Sequence, residues 1–226
     1  MEDGKAMNKL NVLYEDNHVI VVEKPINVLS QGDATGDLDL LNMVKNYVKI
    51  KYNKPGNVYI GLIHRLDRVV GGVMFFARSS KAAARLTKQV QSRKIQKTYL
   101  AVINGKMDKE QGTLSDKILK LPDGNSVISC EGKDSLLEYE VLEYNKKEDK
   151  SLVRINLKTG RHHQIRVQFA SRNHALCGDQ RYGKVLDNTQ IALFAYRLSF
   201  EHPINHETLE FEIKPPKKGY WTLFTI

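Results

Sequence analysis

The apolar residues of this chain fall in short runs cut by turn residues, and only two segments carry clear helical spacing. Val12-Leu13-Tyr14 and Val19-Ile20-Val21-Val22 read as strands around the turn Glu15-Asp16-Asn17, with Lys24-Pro25 ending the second. Val73-Met74-Phe75-Phe76-Ala77 reads as a buried strand, and Thr98 to Ile103 as a strand stopped by Asn104-Gly105. Leu136 to Tyr144 and Ser151 to Leu157 form a predicted hairpin across the charged run Asn145 to Lys150. Leu198 to Ile213 forms another, turning near Pro203-Ile204-Asn205. The helical segments are Asp37 to Lys49, where Asp37 is the expected N-cap for Leu38, Leu41, Val44 and Val48, and a second one opened by Ser79 or Ser80. That second helix runs through Ala82-Ala83-Ala84, Leu86 and Val90, with Lys81, Arg85 and Lys88 on its polar face. Strands outnumber helices and do not alternate with them, which predicts an α+β fold rather than a doubly wound sheet. His163 to Phe169 divides the rules: Ile165, Val167 and Phe169 alternate as in a strand, yet Asn173 beyond them suits the end of a helix.

Length and charge narrow the function classes. The 226 residues suffice for one large domain with a sizeable core, or for two closely packed lobes. Lys and Arg total 35 against 26 Asp and Glu, a formal charge of +9, with a pI near 9.4. Such an excess favours a polyanionic partner, because cations that neutralise phosphates release condensed counterions. Cys130 and Cys177 form no CxxC pair, so no zinc ribbon or disulfide framework is indicated, and reduced thiols in a cytosolic protein are expected. No apolar run approaches the length of a membrane span. Met1 to Lys9 is polar, lacks the apolar core of a secretory signal and is expected to be a flexible arm, residues 1–9, ahead of a folded domain at 10–226.

Four stretches concentrate chemically able side chains: His64-Arg65-Leu66-Asp67 with Arg68-Val69-Val70-Gly71-Gly72 after it, Lys97-Thr98-Tyr99, Thr159 to Val167, and Cys177 to Gly183. Taken alone, Asp67 reads as half of a salt bridge and Tyr99 as a strand packing residue. His162-His163 do not suggest a metal site: neighbouring residues point apart on a helix or a strand, and no HxxxH or HxH pair accompanies them. Cys177 is flanked by Leu176 and Gly178 and reads as a buried, inert thiol. No Gly-rich phosphate loop is present.

Together, in this order and across Leu10 to Phe224, the stretches resemble the RluA-like pseudouridine synthases. HRLDRVVGG resembles the signature HRLDxxTSG, Lys97-Thr98-Tyr99 the KxY motif, Leu157 to Arg166 the LxTGRxHQIR motif, and Gly178 to Gly183 the GDxxYG motif. His202-Pro203 and Pro215-Pro216 resemble the closing HP and Pro-rich segment. The chain departs at Val70-Gly71 in place of Thr-Ser, at Asn27 in place of a turn Gly, at Gln168 and Ala175 in place of His and Pro, and at Phe194 in place of His.

The resemblance implies a mixed, largely antiparallel central sheet flanked by helices with a cleft across it, and a helix beginning at the HQIR segment despite the alternation. It implies isomerisation of a uridine in RNA to pseudouridine without a cofactor or metal. Asp67 is then the catalytic carboxylate, either attacking C1′ or abstracting the 2′ proton. Arg166 is its cationic partner, and Tyr99 stacks on the uracil with its hydroxyl placed to help remove the C5 proton. Arg65 fills the space vacated by the flipped base, while His64, Arg68, Arg161 and His163 contact RNA or support the cleft. With the catalytic pattern beginning by Leu10, the S4 RNA-binding domain of many relatives is expected to be absent. The expected partner is ribosomal or transfer RNA, and the protein is expected to be a cytoplasmic monomer with no obligatory protein partner.

Overall fold

In the computed structural model, residues 10–183 and 189–226 are described; the arm expected at residues 1–9 lies outside them. Eleven strands form one sheet. In chain order they are β1 (Asn11–Glu15), β2 (Val19–Lys24), β3 (Gly61–Leu62), β4 (Gly71–Ala77), β5 (Gln96–Asn104), β6 (Gln111–Lys120), β7 (Ser126–Ile128), β8 (Lys133–Asn145), β9 (Lys150–Leu157), β10 (Leu193–Glu201) and β11 (Thr208–Glu212). The main path is β1-β2-β4-β10-β5-β9-β8-β6-β7, with β3 on β4 and β11 on β10. Among the described residues every strand pairing is antiparallel except β4 with β10. The α+β expectation therefore holds, including its mixed, mostly antiparallel sheet.

The two uninterrupted apolar runs become the centre of one end of the sheet because both of its faces are covered. Val19 and Val21 of β2, with Val73 and Phe75 of β4, pack against Ala82 and Leu86 of α2 (Ser80–Gln91). Their alternate neighbours Ile20, Val22, Met74 and Phe76 pack on the opposite face with Leu40, Val44 and Val48 of α1 (Leu40–Lys51). Period-two alternation sends successive side chains to opposite faces, so a strand covered twice shows no polar face in its sequence. Each such fully buried side chain contributes about 1.5–3 kcal/mol relative to exposure. Farther along, Leu100, Val102, Leu152 and Phe194 are covered by Trp221 and Phe224 of the C-terminal segment.

Ser79 caps α2 by accepting the Ala82 amide at 3.2 Å. The cap of α1 differs from expectation: Asp39, not Asp37, accepts the Asn42 amide at 3.0 Å. Asp37 instead stands outside the helix and pairs with Arg68 at 2.7 Å. Asn27 adopts φ 64°, the left-handed conformation in which asparagine can replace glycine.

His163 to Phe169 is helical over α3 (Gln164–Ala170). All of Gln164 to Phe169 is buried, so no solvent face marks the helix, and the polar members that mimic strand alternation each have a partner. Gln164 accepts from the Arg161 amide at 3.0 Å and from the Thr159 hydroxyl at 2.8 Å, and Gln168 donates to Asp116 at 2.7 Å. Asn173, at φ 65°, lies in the turn that follows.

Candidate active site

A cleft of about 520 Å³ opens between the loop preceding β4, the start of β5, and the segment that joins β9 to α3. Asp67, Tyr99 and Arg166 all line it, together with His64, Arg65, Arg161 and His163. Arg68 is not among its lining residues; it is held outside by Asp37 and by a 3.3 Å bond from its Nε to the Asn27 carbonyl.

Several groups fix the Asp67 loop. Ser30 donates to the Leu66 carbonyl at 2.7 Å and accepts the Leu66 amide at 3.0 Å. Lys24 donates to the Arg68 carbonyl at 3.1 Å, Gln190 donates to the Val69 carbonyl at 2.6 Å, and the Val70 amide closes a turn on the Asp67 carbonyl at 3.0 Å. These bonds hold the loop by its backbone where Val70-Gly71 supply no hydroxyls. Gly71 is itself tightly placed: a Cβ there would lie 2.9 Å from Ile26 and 3.3 Å from Phe194. Phe194 is also the register partner of Gly71 across the parallel pair, so two departures from the family pattern touch each other.

Asp67 is 30% exposed at its side chain, and its contacts with Arg166 and His163 use the same oxygen. Oδ2 lies 3.5 Å from Arg166 Nη1 and 3.7 Å from His163 Nε2. Arg166 has a closer partner, Asp179 of the GDxxYG stretch. Asp179 receives Nε at 2.8 Å and Nη2 at 2.6 Å, a bidentate pair with both residues buried. Burial opposes the Arg166 charge, but the Asp179 carboxylate outweighs it and Arg166 stays a cation. Burial likewise works against the Asp179 charge, and Arg166 with the Arg181 and Tyr182 amides brings its pKa below the ordinary value. The only sequence cue for Asp179 is its place in the GDxxYG motif; nothing in its own neighbourhood announces a partner thirteen residues back.

Tyr99 is buried at the cleft wall. Burial, and then the Asp67 charge, push its hydroxyl well above the usual range, so it stays protonated. That favours stacking and hydrogen-bond donation over removal of the C5 proton. His64 packs its ring on Phe75 at 4.8 Å and accepts the Phe75 amide at 3.3 Å. Burial, aided by the Lys97 charge, lowers its pKa to about 3, so it is a neutral support of the wall. His162 and His163 do not point apart as expected: their rings lie against each other, tilted by 34°, with centroids 3.8 Å apart. The cause is the left-handed backbone of His163, at φ 54°, which breaks the geometry that a helix or strand would impose.

Lys97 lines the cleft as a half-buried cation, and among the described residues its ammonium has no hydrogen bond or ion pair. A Cβ at position 160 would sit 3.5 Å from that ammonium, so Gly160 leaves it room. Arg65 is exposed at the cleft and also lacks such a partner among the described residues, whereas Arg161 donates its Nε to the Asp134 carbonyl at 2.9 Å.

The model of the RNA pseudouridylate synthase family matches residues 18–171. The chain belongs to that family. As a pseudouridine synthase it is an isomerase acting on RNA. It is 34% identical over 223 residues to an uncharacterized RNA pseudouridine synthase of Aquifex aeolicus, covering 92% of this chain and 70% of that one. It is 32% identical over 229 residues to ribosomal large subunit pseudouridine synthase D of Vibrio cholerae, covering 92% and 68%. The solved human RNA pseudouridylate synthase domain containing 4 shares the fold with a TM-score of 0.77 at 20% identity, over 94% of this chain and 90% of that one. No helix among the described residues is long and apolar enough to cross a membrane.

One buried group bears on stability beneath the synthase cleft. Lys24 is fully buried, and burial lowers its pKa to about 7, with the Asp67 charge opposing and the Arg68 charge adding. An unfolded chain keeps that proton to about pH 10.4. Between about pH 7 and 10 the unfolded state thus binds more protons, and stability rises with pH. Urea denaturation at pH 7 and 9.5 is expected to show that rise in the wild type and a smaller one in Lys24→Met; equal rises would exclude Lys24 as its source.

Proposed function

We propose that this protein converts a specific uridine in structured ribosomal RNA, or in transfer RNA, to pseudouridine, with Asp67 as the catalytic carboxylate and no cofactor. The observation that carries the reading is the state of Asp67. Its carboxylate sits in a cleft beside a cation, Oδ2 is engaged, Oδ1 has no partner among the described residues, and the buried Tyr99 ring lines the same cleft. Asp67 either attacks C1′ or takes the 2′ proton; on both routes the carboxylate acts with the Arg166 guanidinium 3.5 Å from Oδ2. Tyr99 stacks on the turned base and donates from its protonated hydroxyl. The base leaves its stack at a cost of a few kcal/mol, and Arg65, exposed and unengaged, takes the vacated place. Lys97 supplies an ammonium for a phosphate near the flipped nucleotide, and Arg161 a further contact. His64 supports the wall. Arg68 contributes indirectly, by tying the Asp67 loop to Asp37.

The choice of ribosomal RNA is supported by the names of relatives such as the Vibrio cholerae synthase. Net charge of +9 suits binding by backbone phosphates and RNA shape. We further propose that the chain from residue 10 onward works as one catalytic domain, as a monomer in the cytoplasm. Mapping pseudouridines in total RNA of a host lacking the gene, with and without the protein restored, tests the function. New sites are expected on restoration; a map unchanged at every uridine would overturn the assignment.

A further inference from the structure

We propose that His163 is a positioning residue for Asp67: Tyr182 turns the Nε2–H of His163 toward Asp67 Oδ2, leaving Oδ1 as the oxygen that reacts. The inference rests on the pseudouridine synthase reading and assigns to this imidazole a task distinct from RNA contact.

Hydrogen-bond accounting orients the ring. The Ser126 amide donates to the Tyr182 hydroxyl oxygen at 2.8 Å. That oxygen lies 2.8 Å from His163 Nδ1. Because its oxygen already accepts the Ser126 amide, we assign the phenol's proton to Nδ1, and a neutral imidazole accepting there carries its hydrogen on Nε2. The ring is neutral near pH 7, since burial lowers its pKa to about 4 against the opposing Asp67 charge. Nε2 faces Asp67 Oδ2 at 3.7 Å, alongside Arg166 Nη1 at 3.5 Å. Both contacts are long, as catalytic contacts often are before substrate tightens them. Both converge on one oxygen, so the carboxylate is oriented rather than merely neutralised.

The backbone supports the same conclusion. His163 holds φ 54° and ψ 23° at the start of α3, a conformation where glycine would be unstrained. Strained non-glycine residues persist where surroundings hold them, and they gather at active sites. Here the surroundings are the tilted His162 ring at 3.8 Å, the edge of Tyr182 at 5.5 Å, and the side chain's own bond to Tyr182.

The test is steady-state kinetics on an RNA carrying the uridine located by mapping, with wild type, His163→Ala, His163→Gln, His163→Asn and Tyr182→Phe. Glutamine can place an N–H where Nε2 stands, whereas asparagine reaches only the Nδ1 position. His163→Ala is expected to lower kcat by ~10–100-fold, the usual range for losing a group that orients a reactive one, with KM within about threefold. His163→Gln is expected to recover most of that loss and His163→Asn little of it. Tyr182→Phe is expected to lower kcat by less than His163→Ala. His163→Gly, which relieves the backbone, is expected to melt no lower than His163→Ala and to be equally slow, so the kinetic loss is not misfolding. An active wild type with His163→Ala within twofold in kcat, or with asparagine matching glutamine, overturns the positioning role and leaves the function standing. No pseudouridine from the wild type overturns the function, and the positioning role with it.

Discussion

Asp67→Asn is expected to slow pseudouridine formation by at least ~10³-fold, because the amide can neither attack C1′ nor accept the 2′ proton at a useful rate. The fold is expected to survive. Asp67 is 30% exposed and its two contacts are at 3.5 and 3.7 Å, a pair of the kind worth about 0–1 kcal/mol to stability. Arg166 keeps its bidentate bonds to Asp179 in the variant, so no buried cation is stranded. RNA affinity is expected to hold or rise, since one negative charge leaves a cleft that faces phosphates. Single-turnover assays beside urea denaturation and filter binding separate these effects. A variant that retains a tenth of the wild-type rate would remove Asp67 from the chemistry.

Asp179→Ala is expected to show the converse pattern, a large loss of stability from a residue that faces no substrate. Asp179 is buried and receives two Arg166 bonds and two backbone amides. Removing it leaves a buried guanidinium whose nearest remaining carboxylate is Asp67, at 3.5 Å. Breaking one side of such a pair costs about 3–5 kcal/mol. Replacing both partners by apolar groups, Arg166→Met with Asp179→Leu, is expected to recover much of that stability, since neither charge is then buried alone. Activity is expected to stay low in the double variant, because Asp67 no longer has its cation. Denaturant midpoints for the single and double variants decide the matter; a cost below about 1 kcal/mol for Asp179→Ala would mean that solvent reaches Arg166 after all.

The strands that were legible in the sequence are those whose burial leaves a compositional mark. Val19 to Val22 and Val73 to Ala77 lie under helices on both faces, and the Asn145 to Lys150 charges mark a true hairpin turn. β6 and β7 left no such mark, because Leu114 and Ile118 are the buried residues of β6 and polar residues stand at most of its other positions. The displaced cap of α1 shows a choice among near-equivalents. Asp37 and Asp39 both suit the N-cap, and the buried position of Asp39 decides for it. In the site, ordered motifs brought Asp67, Tyr99 and Arg166 to one cleft because each stands in a short, distinctive context. Asp179, Lys97 and Lys24 escaped notice as participants because their roles arise from burial and long-range pairing. Adjacent residues conceal such relations. The ring contact of His162 with His163 was illegible for a simpler reason: it depends on one left-handed φ at a histidine, which residue type does not encode.

β10 lies between β4 and β5, and through it alone does any strand pairing among the described residues join the two ends of the sheet. Asp67 stands just before β4 on one side, while Tyr99, His163 and Arg166 belong to the other. The strand that couples them follows both walls along the chain, at residues 193–201. During synthesis the opposing walls of the cleft therefore remain uncoupled until the chain beyond residue 201 has left the ribosome. Pairings so distant along the chain form only after the intervening loop entropy is overcome. Until β10 is placed, the carboxylate and the groups that orient it have no common frame.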